Sequence, residues 1–218
     1  SGLAGAADFV REVAPSGATQ ETSSLQAGLV PIRQGIVIER LAEGQGEEQI
    51  WGLLHMVRSV LGLHGQGGQG VLRPPESPGR ASGFISVPDF DLSTWGRQPL
   101  KKLAAMAPGS TLKDIADGVV RKEFRFLLPP RIYNFREISC KNDQCVSHPG
   151  NGQREVQTYF ARVPVVGAQG APQQPNGCPV AEARDPNWRF ACKYCETPHM
   201  FWQIWDYQKF YNPSEFTM

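Results

Sequence analysis

The sequence predicts an α+β protein in two parts, a βαββαβ sandwich followed by a small antiparallel β domain closed by a metal ion. Three observations carry this. Runs rich in β-branched residues alternate with two helix-periodic stretches up to about residue 126, the character changes after Pro129-Pro130, and every cysteine falls after residue 139. With 218 residues and 40% hydrophobic content, the chain can bury a genuine core. Its 23 Gly and 18 Pro argue against a coiled coil or a plain helical bundle. A formal charge of +1 excludes any overall electrostatic pull towards nucleic acid or membrane, and no apolar run approaches the ~20 residues of a membrane span.

Residues 1–27 read as an N-terminal extension with a short helix around Ala6–Val13. The chain opens on Ser1 with no retained targeting peptide, so a processed N-terminus is expected. The first strand lies within Leu29–Leu41, where Val30, Ile32, Ile36, Val37 and Ile38 concentrate β-branched side chains. Glu47–Leu63 follows as a helix, with Ile50, Leu53, Leu54, Val57, Val60 and Leu61 at helical spacing and two glutamates in the first turn. Gly65–Gly70 is a linker and not a phosphate loop, since it follows a helix and lacks the Gly-Lys-Ser/Thr ending. Gly70–Arg73 and Gly83–Val87 form a hairpin, and the second helix runs from about Pro99 to Met106, stopped by Pro108-Gly109. Thr111–Ile115 and Gly118–Phe126 supply one last extended segment. The order is that of a ferredoxin-like split βαβ sandwich, with two helices on one face of a four-stranded antiparallel sheet. This domain spans 28–130.

The second domain spans 131–200, with strands at Ile132–Ile138 and Gln157–Val163 and an inserted Pro/Gly-rich loop over 164–187. Cys140 and Cys145 form a C-x4-C pair, and Cys192 and Cys195 a C-x2-C pair. Two close pairs far apart in sequence suit a tetrahedral ion, because each short turn supplies two converging sulfurs. Four thiolates leave no open coordination position, so the expected cofactor is structural Zn2+. Cys178, in the insertion, reads as a spectator thiol; His148 and His199 read as neighbours of the site or surface residues. Of 21 aromatic residues, ten lie between Trp188 and Phe216. The tail 201–218 is therefore expected to bury its rings against a partner.

Several ordered blocks resemble the regulatory chain of aspartate carbamoyltransferase over roughly Gly28–Glu196. They are Ile32-Arg-Gln-Gly-Ile-Val-Ile-Glu39, Leu103-Ala-Ala-Met-Ala-Pro-Gly-Ser-Thr-Leu112, Leu128-Pro-Pro-Arg-Ile-Tyr-Asn134, Cys140-Lys-Asn-Asp-Gln-Cys-Val-Ser-His148 and Cys192-Lys-Tyr-Cys-Glu196. The resemblance implies a non-catalytic chain with an N-terminal nucleotide-effector domain and a Zn domain that docks on a catalytic chain. It also implies an anion pocket with an acidic residue on the first strand, here Glu39, and lysines from the hairpin and last strand. Those lysine positions fall at or near Ser86 and at Glu123, so Arg40, Lys113 and Lys122 are the neighbouring candidates for nucleotide binding. Losing one or two ammonium groups, at roughly 1.5–3 kcal/mol per charged hydrogen bond, predicts weakened effector binding.

Three functional readings follow. The first is a non-catalytic zinc-binding structural or docking subunit of a larger assembly. It would contact protein subunits through the zinc domain and the aromatic tail, in a reducing intracellular compartment, with the mitochondrial matrix as one candidate. The second is an allosteric regulator of aspartate carbamoyltransferase in pyrimidine biosynthesis. The third, a nucleic-acid-binding zinc ribbon, is disfavoured because the C-terminal aromatics lack a basic patch. No signature of an enzyme is present.

Overall fold

The computed structural model describes residues 6–15, 32–65, 67–74, 78–151, 156–164 and 188–206. The chain divides into two compact units, Ser1–Leu127 and Leu128–Met218. The first unit contains β1 (Val10–Val13), β2 (Gly35–Leu41), α1 (Glu47–Leu61), β3 (Gly68–Leu72), β4 (Ser82–Pro88), α2 (Arg97–Met106), β5 (Thr111–Ala116) and β6 (Val119–Phe126). They build one antiparallel sheet of order β1-β6-β5-β2-β4-β3. Four consecutive strands, β5-β2-β4-β3 with β3 at the edge, have the split βαβ order predicted from the sequence.

Three local expectations are corrected. Residues 10–13 form a strand and not a helix: β1 pairs with β6, Val10 opposite Phe126 and Val13 opposite Glu123. Phe9 just before it is fully buried. The partner strand lies more than 100 residues away, so no local periodicity could reveal the pairing. The expected last segment is two strands, because Asp117 (φ 57°) and Gly118 (φ 75°) are both left-handed and reverse the chain between β5 and β6. An Asp-Gly pair is the sequence signal for such a hairpin. Finally, β3 begins at Gly68, taking up part of the expected linker, with Gly68 opposite Ser86.

The alternation of each strand places the core. Ile36 and Ile38 of β2 oppose Val87 and Ile85 of β4, and all four are fully buried. On this face lies α1, whose Ile50, Leu54 and Val57 are fully buried. Gly83 permits the close approach of α1 to β4. A Cβ there would stand 2.9 Å from Ile50 Cγ2 and 3.0 Å from Leu54 Cδ2. Gly83→Ala is therefore expected to destabilise the unit by about 1–3 kcal/mol through overpacking, seen as a lower denaturant midpoint with little change in slope.

The second unit is a four-stranded antiparallel sheet, β10-β9-β8-β7, from β7 (Arg131–Tyr133), β8 (Tyr159–Pro164), β9 (Trp188–Cys192) and β10 (Pro198–His199). β7 is shorter than expected, because Asn134 adopts a left-handed φ of 59° that ends the strand. Ile132, Phe160 and Cys192 share the inner face in register and are buried there. The start of the aromatic tail packs on its own unit, contrary to the expectation of burial against a partner. Trp205 bridges to Ile138, its ring stacks on Phe135, and both Ile204 and Trp205 are buried. Pro164, the first residue of the expected 164–187 insertion, ends β8, while residues 165–187, with Cys178, and 207–218 lie outside the described residues. No helix among the described residues is long and apolar enough to cross a membrane.

Candidate metal centre

Each cysteine pair sits on a short turn whose own backbone bonds fix it. In the first, the Cys145 amide donates to Asn142 O at 3.0 Å and the His148 amide to Cys145 O at 2.9 Å. In the second, the Glu196 amide donates to Cys192 O at 2.8 Å and the Cys192 amide to Thr197 O at 3.1 Å. The Sγ atoms of Cys140, Cys145, Cys192 and Cys195 all lie within 4.8 Å of one another. The closest approaches cross from one turn to the other, Cys140 to Cys195 at 3.6 Å and Cys145 to Cys192 at 3.7 Å.

These separations discriminate between chemistries. A disulfide holds its sulfurs ~2.05 Å apart, so both cross-turn pairs are far too long for one. Four sulfurs each ~2.3 Å from a central ion stand about 3.8 Å apart at the corners of a tetrahedron. The cluster matches that edge, and the four cysteines can hold a metal ion.

The polar surroundings aim at the sulfurs. The amides of Asn142, Ser147 and Thr197, each two residues beyond a cysteine, donate to Cys140, Cys145 and Cys195. Ser147 Oγ lies 3.2 Å from Cys145 Sγ and 3.5 Å from Cys192 Sγ. Thr197 Oγ1 accepts from Asn142 Nδ2 at 3.1 Å and lies 3.3 Å from Cys195 Sγ, so its proton can serve that sulfur as a thiolate. Burial pushes the Cys140 and Cys145 thiols up. Burial also pushes Cys195 up, but the Thr197 hydroxyl and amide and the neighbouring sulfurs together bring it down to about 6. His199 Nε2 stands 3.4 Å from Cys140 Sγ, and burial, then the charge of Lys141, holds its ring below the usual imidazole value. A neutral imidazole donates to a thiolate without adding charge. Thr197, Ser147 and Asn142 carry no signal in the sequence beyond adjacency to a cysteine. Partners of this kind typically set metal affinity by roughly 10- to 100-fold. Thr197→Val is expected to weaken metal retention by that factor in a competition with a chromophoric chelator, leaving the fold intact at saturating metal.

The residues singled out for nucleotide binding are placed as follows. Glu39 and Lys113 meet as an ion pair of 2.7 Å, largely shielded from solvent. Arg40 pairs with Glu43 at 2.9 Å. Lys122 opposes Asp114 while Lys113 opposes Glu123, so Lys122 faces away from Glu39 and Lys113. Ser86 and Glu123, at the departing lysine positions, are both buried, and they share one face with Lys113 across β4, β2, β5 and β6.

The fold and the cluster together define a two-unit α+β protein, a split βαβ domain joined to a small β domain with a four-cysteine centre. No family model matches the chain. Among curated proteins, it is 32% identical over 179 residues to Protein PyrBI of Thermotoga maritima, covering 82% of this chain and 29% of that one. It is 32% identical over 205 residues to Protein PyrBI of Treponema denticola, covering 93% and 34%. It is 26% identical over 129 residues to the aspartate carbamoyltransferase regulatory chain of Thermoplasma acidophilum, covering 59% and 77%. The matches support a diverged family of the aspartate carbamoyltransferase regulatory-chain type for this chain. It spans about a third of the length of the PyrBI relatives. Nothing in these comparisons supports the mitochondrial matrix as an address.

Proposed function

We propose that this chain is a non-catalytic, zinc-bearing subunit with a regulatory-chain fold, which serves as a docking component of a larger protein assembly. The observation that carries the reading is the closed set of four sulfurs at tetrahedral spacing. Such a set leaves no position for substrate or water on the ion, so the metal holds shape. Its binding energy becomes folding energy for a unit whose sheet strands have two to six residues. The docking surface includes the zinc unit, with Trp202, 52% exposed, as the aromatic that the described part of the tail presents to a partner. The test is affinity capture of the full chain followed by mass spectrometry of stoichiometric partners. A reproducible protein partner lost on removal of zinc is the expected result, and a monodisperse monomer with no partner contradicts it.

A second reading, an allosteric regulator of aspartate carbamoyltransferase, draws on the names of the relatives. Allostery needs an effector site as well as the docking site, and the Glu39–Lys113 pair and buried Glu123 make the carried-over pocket poor in free positive charge. Co-purification with a carbamoyltransferase catalytic chain, together with a nucleotide-dependent change in its activity, would favour this reading over the first.

A further inference from the structure

We propose that the four-cysteine centre is also an oxidation site: hydrogen peroxide attacks Cys195 first, Cys195 then bonds to Cys140, and the chain gives up its metal ion. The inference rests on the zinc reading above and deepens it. The four ligands differ in what solvent reaches. Cys140, Cys145 and Cys192 are 0%, 2% and 1% exposed, whereas Cys195 is partly exposed. A thiolate, not a thiol, is both the nucleophile and the metal ligand, so a sulfur in the centre is already deprotonated. A small neutral oxidant therefore meets one reactive side chain at the surface and three beneath it.

The geometry then selects the partner. Cys140 Sγ lies 3.6 Å from Cys195 Sγ, on the other turn and 55 residues away. A disulfide needs ~2.05 Å, so the two sulfurs close by ~1.6 Å to bond. Cys145 and Cys192 form the other cross-turn approach at 3.7 Å, but both are buried. The first product is one disulfide, with that second pair left as thiols. In the first step the Cys195 sulfur attacks a peroxide oxygen and the O–O bond breaks. The sulfur becomes a sulfenic acid, and the departing hydroxide takes a proton from solvent. In the second, the Cys140 thiolate attacks the Cys195 sulfur and the S–O bond breaks, releasing a second hydroxide that is protonated to water. Two thiolates, one peroxide and two protons thus give one disulfide and two waters, with two electrons passing from sulfur to oxygen. Half of the tetrahedron is then gone, and two sulfurs cannot enclose the ion. The new bond spans the gap that the ion bridged, so the turns stay joined. A dithiol reductant reopens it by exchange and restores all four ligands.

The test treats the full, zinc-loaded chain with hydrogen peroxide in thiol-free buffer, with free glutathione as a reference. A chromophoric zinc indicator reads release, and non-reducing peptide mapping by mass spectrometry reads the bonds. One equivalent of zinc released, a Cys140–Cys195 linked peptide, and Cys145 and Cys192 still open to alkylation are expected. A sulfenic-acid probe should label Cys195 at early times. Dithiothreitol should restore zinc uptake in full, and Cys178→Ser should behave as the parent. Chain that holds no zinc before peroxide is added fails the metal reading itself. Zinc-loaded chain that keeps its ion while glutathione is oxidised overturns this proposal alone. So does release with a Cys192–Cys195 bond, with a bond to Cys178, or with all four sulfurs oxidised together.

Discussion

Cys192→Ser is expected to abolish stoichiometric zinc binding and to unfold the second unit while the first remains folded. Cys192 is 1% exposed and sits in β9, so its sulfur links the inner face of the sheet to the centre. A serine hydroxyl at neutral pH is neither a thiolate nor an adequate substitute donor for Zn2+. Structural zinc sites typically contribute about 10–16 kcal/mol of apparent binding energy, comparable to the whole stability of an ordinary domain. Far-UV circular dichroism and limited proteolysis would read the outcome as a protected fragment near Ser1–Leu127 beside a degraded second unit. Acidification should act in the same direction. Burial raises Cys140 and Cys145, so without metal these thiols hold their protons, and metal binding must displace them. Affinity therefore falls as pH falls.

Phe9→Ala is expected to cost about 3–5 kcal/mol, the range for deleting a fully buried aromatic. Phe9 has no exposed surface, its carbonyl accepts from the Leu127 amide at 2.9 Å, and the Arg97 guanidinium lies over its ring at 5.7 Å. The loss should appear as a lowered unfolding temperature for the first unit alone, with zinc content unchanged. If residues 6–13 were a dispensable extension, the substitution would change stability by less than about 0.5 kcal/mol.

Both predictions mark where sequence reading succeeds and stops. The metal centre was legible because its geometry is local: a cysteine pair on a short turn brings two sulfurs together whatever the rest of the chain does. What tunes it was not, since Thr197 reaches Asn142 only when the two turns meet. The strands β2, β3, β4 and β5 and both helices announced themselves in the residue pattern. β1 did not, because its pairing with β6 is a tertiary event over four residues. The β5–β6 hairpin was missed, because the Asp117-Gly118 turn signal sits inside what otherwise reads as one extended run. The neutralisation of Lys113 by Glu39 depends on the β2–β5 register and could not be counted from sequence spacing.

The most direct test of the central claim is the metal content of freshly purified chain, combined with X-ray absorption at the zinc edge. One equivalent of zinc per chain, surrounded by four sulfur atoms at about 2.3 Å, is the predicted result. Chain that is folded and free of metal, or zinc bound with fewer than four sulfur ligands, would contradict it.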